Sequence, residues 1–254
     1  MIVALMIGRK GSKGFPRKNI LKIKGKHLCE YPIIAAKKTT EIKRIFISTD
    51  CPMIKKITRK YNPSFLFRPK KLNSNRALGE DVFKDAFLRI QEILKRENKK
   101  CKMIVLLMAN AGTINSKLLK KGINILKKNK KYDSAITTSV YNMWSPIRAR
   151  TLKNGYLRPF VPFKNFGKET EINCDRDAQG DVFYADMSAS IVRPYCLEKL
   201  DNGLLPQKWM GQKIAPIINE AGFDLDFEWQ VPQLEYWLKK YGEYVNPSVS
   251  ITVT

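Results

Sequence analysis

The first apolar run, Ile2 to Ile7, has no polar position and ends at Gly8, the pattern of a strand buried on both faces in a parallel sheet. After a basic loop, "YPIIAAKKTT" reads as a helix with Pro32 in its first turn. A β-rich run, "RIFISTD" (44–50), then leads into a helix beginning at "CPMIKKITRKY". In residues 79–97 the apolar positions Val82, Phe83, Ala86, Phe87, Ile90, Ile93 and Leu94 recur at helical spacing. "KMIVLLMAN" (102–110) is another buried strand, "SKLLKKGINILKK" a helix and "YDSAITTSVYN" a strand. Repeated strand–helix units predict an α/β fold built on a mostly parallel twisted sheet.

The rhythm breaks over residues 144–180, where aromatics and prolines replace any helical period. Such a stretch is a long loop system or a β-hairpin insertion, and its exposed aromatics would seek a partner surface. Regularity returns at "DVFYADMSASIVRP", and "PQLEYWLKKYGEY" predicts a last helix. A chain of 254 residues fits one domain, 1–254, carrying this insertion.

No apolar run reaches the roughly 18 residues of a membrane span, so a cytoplasmic protein without membrane contact is expected. The five cysteines are odd in number and form no C-x-x-C pair, which argues against a disulfide framework or a zinc knuckle. With His27 as the sole histidine, a Ser–His pair could use no other residue. The formal net charge of +24 would suit nucleic acid, but 34 lysines against 13 arginines lie scattered over helix faces. That distribution favours a solvated surface and small anionic substrates over a nucleic-acid reader.

The loop "GRKGSKGFPRKN" (8–19) is where chemistry concentrates. It would leave the first strand at its carboxyl end, the edge where open α/β sheets bind ligands. Gly11 and Gly14 permit tight turns, Ser12 is a donor, and Arg9, Lys13 and Lys18 are fixed charges, with no acidic residue among them. The loop fits neither G-x-x-x-x-G-K-[ST] nor G-x-G-x-x-G. A phosphate cradle and an ordinary basic turn are both consistent with that composition. Asp224 and Asp226, two apart in "FDLDF", would face one side of a strand end while Leu225 and Phe227 face the core. Such a pair suits Mg²⁺, the alternative being a solvated acidic turn.

"ALMIGRKGSKGFPRKNI" resembles the opening motif of the CMP-acidic-sugar synthetases, the acylneuraminate cytidylyltransferase family, with a pattern close to A-x-I-P-A-R-x-G-S-K-x-I-P-x-K-N. "FISTD" resembles the family's V-S-T-D, "FLFRPKKL" its L-R-P-x-x-L and "FDLDFEWQ" its late D-I-D element, in the same order along the chain. The resemblance implies a three-layer α/β/α nucleotidyltransferase, Rossmann-like, with a small β-rich dimerisation insertion. It implies transfer of CMP from CTP to an acidic sugar of the nonulosonic type with release of pyrophosphate. Arg9, Lys13 and Lys18 would then be catalytic, Gly11, Ser12, Asn19 and Arg68 would bind CTP, and Asp224 and Asp226 would hold Mg²⁺. A homodimer is implied as well.

Departures fall in the acceptor half. Where the pattern has L-L-Q-P-T-S-P this chain has "LLMANAGT", with Met108 for Gln, Asn110 for Thr and Gly112 for Pro; near the start, Ile7 and Gly8 replace Pro-Ala. Acceptor candidates are Met108, Asn110, Arg148, Arg176, Gln179 and Asp186, with Arg150, Lys208 and Trp209 as further possibilities. "SPIRAR" could equally be a surface hairpin or a dimer contact, and Trp209 a core residue. Two other readings stay open: a nucleotidyltransferase for a sugar phosphate, phosphonate or other nucleotide, and a basic nucleic-acid-binding protein.

Overall fold

The computed structural model describes residues 1–11, 14–74, 77–178 and 180–243. Ser12, Lys13 and Gln179, named above, lie outside the described residues. Among the described residues eleven strands occur in chain order: β1 (Ile2–Gly8), β2 (Lys22–Ile23), β3 (Lys26–His27), β4 (Ile42–Thr49), β5 (Ser64–Leu66), β6 (Met103–Met108), β7 (Ser134–Val140), β8 (Arg150–Lys153), β9 (Tyr156–Pro159), β10 (Phe183–Val192) and β11 (Ile214–Ile218). The α-helices are α1 (Glu30–Lys37), α2 (Pro52–Thr58), α3 (Gly79–Arg96), α4 (Ser116–Lys128), α5 (Pro194–Glu198) and α6 (Val231–Tyr241).

Seven strands make one sheet in the order β11-β7-β10-β6-β1-β4-β5. All neighbours run parallel except β10, which is antiparallel to both β6 and β7. The reason lies in the connection: the chain leaves β7 at the end where β1 and β6 finish, forms the β8–β9 hairpin there, and must come back down. Side-chain alternation places Ala4 and Met6 of β1 in one core layer, and Val3, Leu5 and Ile7 in the other. Residues of α1, α4 and α6 pack in the first layer, those of α3 and α5 in the second. Helix α4 lies so close to the sheet that a Cβ on Gly122 would come within 2.5 Å of Ile217. The sheet is therefore covered on both faces, as its unbroken apolar strands require.

One expected strand is absent. Residues 222–226 are irregular; Leu225 is buried in the core and Phe223 packs against it, while Phe227 is about half exposed. The segment does not pair with β11; apart from the Leu225 N–H, which donates to the Asn110 carbonyl, its backbone groups go mostly to side chains, with Gln230 Oε1 accepting from the N–H groups of Asp226 (2.7 Å) and Phe227 (2.8 Å). Four of the five cysteines are buried and none is bonded to another, and burial pushes the Cys29 and Cys196 thiols up to about 12. Among the described residues no helix is long and apolar enough to cross a membrane.

His27 belongs to a buried charge cluster that fixes the start of α1. The Glu30 carboxylate accepts from the His27 backbone N–H (2.7 Å), Tyr61 Oη (2.7 Å) and Lys60 Nζ (2.5 Å), and contacts His27 Nδ1 at 2.9 Å. Burial alone would raise this carboxyl, but the hydrogen bonds from Lys60, Tyr61 and His27 outweigh it and hold it down at about 2. A folded-state value below the ordinary 4.5 gives stability that is fully present above pH 4.5 and lost as pH falls through about 2. We expect Glu30→Gln to cost roughly 2–4 kcal/mol at pH 7, and the gap to wild type to close near pH 2. Denaturant titrations at both pH values check this; a gap independent of pH would contradict it.

Candidate nucleotide site

Because β1, β4 and β6 are parallel neighbours, their carboxyl ends share one sheet edge. There a cavity of about 470 Å³ opens between the loop after β1 and the end of β6, within the ~300–1,000 Å³ usual for small-molecule sites. Gly8 permits this meeting of backbones, since a Cβ there would lie 2.6 Å from Ala109 Cβ. The Lys10 N–H donates to Asp50 Oδ1 at 2.9 Å, which moors the loop to the end of β4. Gly14 brings the loop over the acidic segment, where a Cβ would stand 3.1 Å from the Asp226 carbonyl.

Arg9, Gly11, Lys18, Asn19 and Arg68 all line the cavity. Asn19 Nδ2 donates to the Arg9 carbonyl at 3.2 Å and so ties the two ends of the loop together. The Arg68 guanidinium donates to Leu72 O at 2.6 Å and reaches Gly8 O at 3.4 Å; burial lowers its pKa, with the Asp50 charge opposing. Opposite the cations stands an apolar wall of Ala77, Val82 and Met108. Met108 thus faces the first cavity.

Of the acidic pair, Asp226 lines this cavity. Lys18 Nζ is ion-paired with Asp226 Oδ1. Asn110 Nδ2 lies 3.0 Å from Asp224 Oδ2, 3.2 Å from Leu225 O and 3.4 Å from Asp226 Oδ1. Asp226 lines the first cavity, whereas Asp224 lines a second one of about 330 Å³, so Asn110 stands where the two meet. Burial raises the Asp224 pKa and the Asp226 charge adds to the rise, against the Asn110 hydrogen bond and the Lys18 charge. No three His, Cys, Asp or Glu residues among those described are grouped to hold a metal. Two hard carboxylates crowded together, one already drawing an ammonium, fit an ion such as Mg²⁺ that completes its shell with water and substrate phosphates.

The second cavity is walled by Tyr141, Trp144, Tyr184, Phe223 and Trp229, with Asp186 and Gln233 among its polar groups. Asp186 is only 5% exposed and accepts from Ser139 Oγ and Asn219 Nδ2, each at 2.9 Å, and from the Ser188 N–H. Phe227 stacks on Trp229 with ring centroids 5.9 Å apart, forming a partition from one cavity to the other.

Arg148 and Arg176 line neither cavity. The first donates to Cys174 O at 2.7 Å and the second pairs with Asp177. Arg150 lies over the Phe163 ring and Lys208 pairs with Asp201. Trp209 is a core residue, edge-on to Phe83 and donating to Ser190 Oγ. Sequence reasoning passed over Asp50, Trp229 and Gln230, although the quoted "FISTD" and "FDLDFEWQ" stretches contain them.

A family model described as "Cytidylyltransferase" matches residues 3–156. The chain belongs to the cytidylyltransferase family. Among curated relatives, it is 30% identical over 164 residues to a Helicobacter pylori protein named "Pseudaminic acid cytidylyltransferase and UDP-2,4-diacetamido-2,4,6-trideoxy-beta-L-altropyranose hydrolase" (64% of this chain, 30% of that protein). It is 37% identical over 95 residues to the "CMP-N,N'-diacetyllegionaminic acid synthase" of Campylobacter jejuni (37% of this chain, 40% of that protein). The matches therefore span less than half the length of these relatives. Among solved structures, a CMP:2-keto-3-deoxy-manno-octonic acid synthetase complexed with CTP superposes with a TM-score of 0.64 at 12% identity, covering 94% of this chain and 98% of the other. At that identity the likeness establishes the fold, an α/β nucleotidyltransferase sheet.

Asn110 is the test of how the acidic segment of this cytidylyltransferase is held. Asn110→Leu keeps the volume but strips hydrogen bonds from a buried carbonyl and two carboxylates, so we expect a loss of about 1–3 kcal/mol. Denaturant unfolding measures it, and a change under 0.5 kcal/mol would show the segment to be held elsewhere.

Proposed function

We propose that the protein is a Mg²⁺-dependent cytidylyltransferase that transfers CMP from CTP to an acidic sugar of the nonulosonic class and releases pyrophosphate. The observation that carries this reading is the cavity at the ends of β1 and β6, lined by Arg9, Lys18 and Arg68 together with Asp226, with Asp224 held beside it by Asn110. The acceptor class comes from the relatives, one named a pseudaminic acid cytidylyltransferase and another a CMP-N,N'-diacetyllegionaminic acid synthase.

In this reading CTP lies along the glycine loop, with its phosphates among Arg9 and Lys18 and, from the sequence motif, Ser12 and Lys13. Positioned cations of this kind offset the charge that develops on the phosphates in the transition state. The acceptor occupies the aromatic second cavity. Its hydroxyl oxygen forms the bond to the α-phosphorus while the bond from that phosphorus to the bridging oxygen of the β-phosphate breaks, and pyrophosphate departs. Asp224 and Asp226 would hold the Mg²⁺, which supplies charge neutralisation at the phosphates when bound. Asn110 keeps the two carboxylates turned toward one another. Use of CTP implies a cytoplasmic location.

The exposed side chains of Trp144, Leu152, Leu157 and Phe160, each about two-thirds exposed or more, support a homodimer formed through the β8–β9 insertion. Light scattering is expected to give a dimer that Leu157→Asp dissociates; a stable monomer at micromolar concentration would remove this element.

Pyrophosphate release from CTP and Mg²⁺ with a panel of nonulosonic acids tests the reaction. We expect turnover with at least one of them, and a fall in kcat/KM of roughly 100–1,000-fold in Asp226→Asn. No turnover with any nonulosonic or octulosonic acid would overturn the acceptor class. Because Met108 faces the nucleotide cavity, thermal shifts with CTP, UTP, GTP and ATP should accompany the assay. Stronger stabilisation by a nucleotide other than CTP would favour the alternative nucleotidyltransferase reading.

A further inference from the structure

We propose that Lys18 is a built-in competitor for the divalent cation, so that the aspartate pair accepts a metal ion only once a nucleotide's phosphates have drawn the lysine away. The inference rests on the metal-dependent reading above and adds an order of events to it. The Lys18 ammonium is bonded to Asp226 Oδ1, and the side chain is only 10% exposed. With so little access to water, the ammonium depends on this carboxylate for its compensating charge. Asn110 Nδ2 meanwhile sits 3.0 Å from Asp224 Oδ2. In the free protein, then, one ammonium and one amide already serve the pair, and a dication arriving there would meet a like charge on the same carboxylate.

The way out is built into the loop. Lys18 lines the same cavity as Arg9, Gly11 and Gly14. A triphosphate lying there would offer its ammonium new anionic acceptors without any backbone change. The backbone is held meanwhile by Leu21 N–H to Lys18 O (3.0 Å) and Lys18 N–H to Phe15 O (3.4 Å). Release of Asp226 then opens the pair to the cation, whose shell the phosphates complete. Linkage makes the coupling reciprocal: nucleotide tightens cation binding, and cation tightens nucleotide binding by the same factor.

The experiment is a Mn²⁺ titration, read by the electron paramagnetic resonance of the free ion, on wild type, Lys18→Gln and Lys18→Arg, without nucleotide and with CTP. Values with CTP are corrected for the metal–nucleotide complex in solution. Lys18→Gln is expected to bind Mn²⁺ about tenfold more tightly than wild type without nucleotide, and to lose most of the CTP-dependent tightening. Lys18→Arg, which keeps the charge, should stay as weak as wild type, and so should Lys22→Gln, which removes a charge from an exposed strand position. Thermal melts establish folding, and Lys18→Met gives the same comparison if the glutamine variant does not fold. The proposal is overturned if Lys18→Gln binds no more tightly than wild type while Asp224→Asn and Asp226→Asn weaken binding, an outcome that leaves the metal site itself standing. If neither wild type nor Lys18→Gln binds Mn²⁺ with or without CTP, the metal-dependent reading fails and the proposal falls with it.

Discussion

Asn110 is the point on which the site depends. Its carbonyl accepts from the Leu225 N–H at 3.0 Å, while its side-chain amide returns to Leu225 O and reaches both neighbouring carboxylates. The acidic segment belongs to no strand, so it lacks the ladder that would ordinarily fix its register. Asn110, just beyond the end of β6, replaces that ladder together with Thr113, whose hydroxyl accepts from the Phe223 N–H (2.9 Å) and donates to Phe223 O (2.8 Å), and Gln230 secures the far side. Two like charges are thereby kept close in a partly buried place, a cost that only specific partners can offset. Those partners are the Asn110 amide and the Lys18 ammonium.

The fold was largely legible because its signals are repetitive. Unbroken apolar strands, each followed by a helix with a 3.6-residue period, admit few arrangements other than a parallel sheet covered on both faces. The reversed strand β10 was not legible: direction is set by where the chain re-enters after the β8–β9 hairpin, and no residue pattern records that. The position of Phe227 was misjudged for a related reason. Period-two alternation predicts its side only within a strand, and residues 222–226 are held mostly by side chains instead of a strand ladder.

Part of the first cavity's lining could be read because it is local. Arg9, Lys18 and Asn19 lie in one short loop, and the loop's exit from β1 determines which edge of the sheet they reach. The second cavity is assembled from the segment after β7, from β10, from residues 222–230 and from the start of α6, elements far apart in sequence. Charge alone pointed to Arg148 and Arg176, but both lie in the insertion and satisfy themselves on its own carbonyls and carboxylates. Aromatic residues proved the better guide to the second cavity, though the sequence offered no way to tell Trp229, which walls it, from Trp209, which fills the core.

These features explain why a chain with a formal net charge of +24 builds a site around acid. Scattered surface lysines raise the general attraction for anions but cannot order them, because exposed charges are screened beyond about 10 Å at ordinary salt. What distinguishes the cavity is a local arrangement of opposite charges: the cations Arg9, Lys18 and Arg68 line it together with Asp226, which is paired with Lys18, and Asp224 lies just beyond, against Asn110. An anion alone is held well by the first set and repelled by the second. An anion that brings its own dication satisfies both at once, and the same arrangement that penalises either partner alone rewards the pair. Departures such as Asn110 in the family's Thr position therefore change how the acidic pair is held without removing the opposite charges that line the cavity.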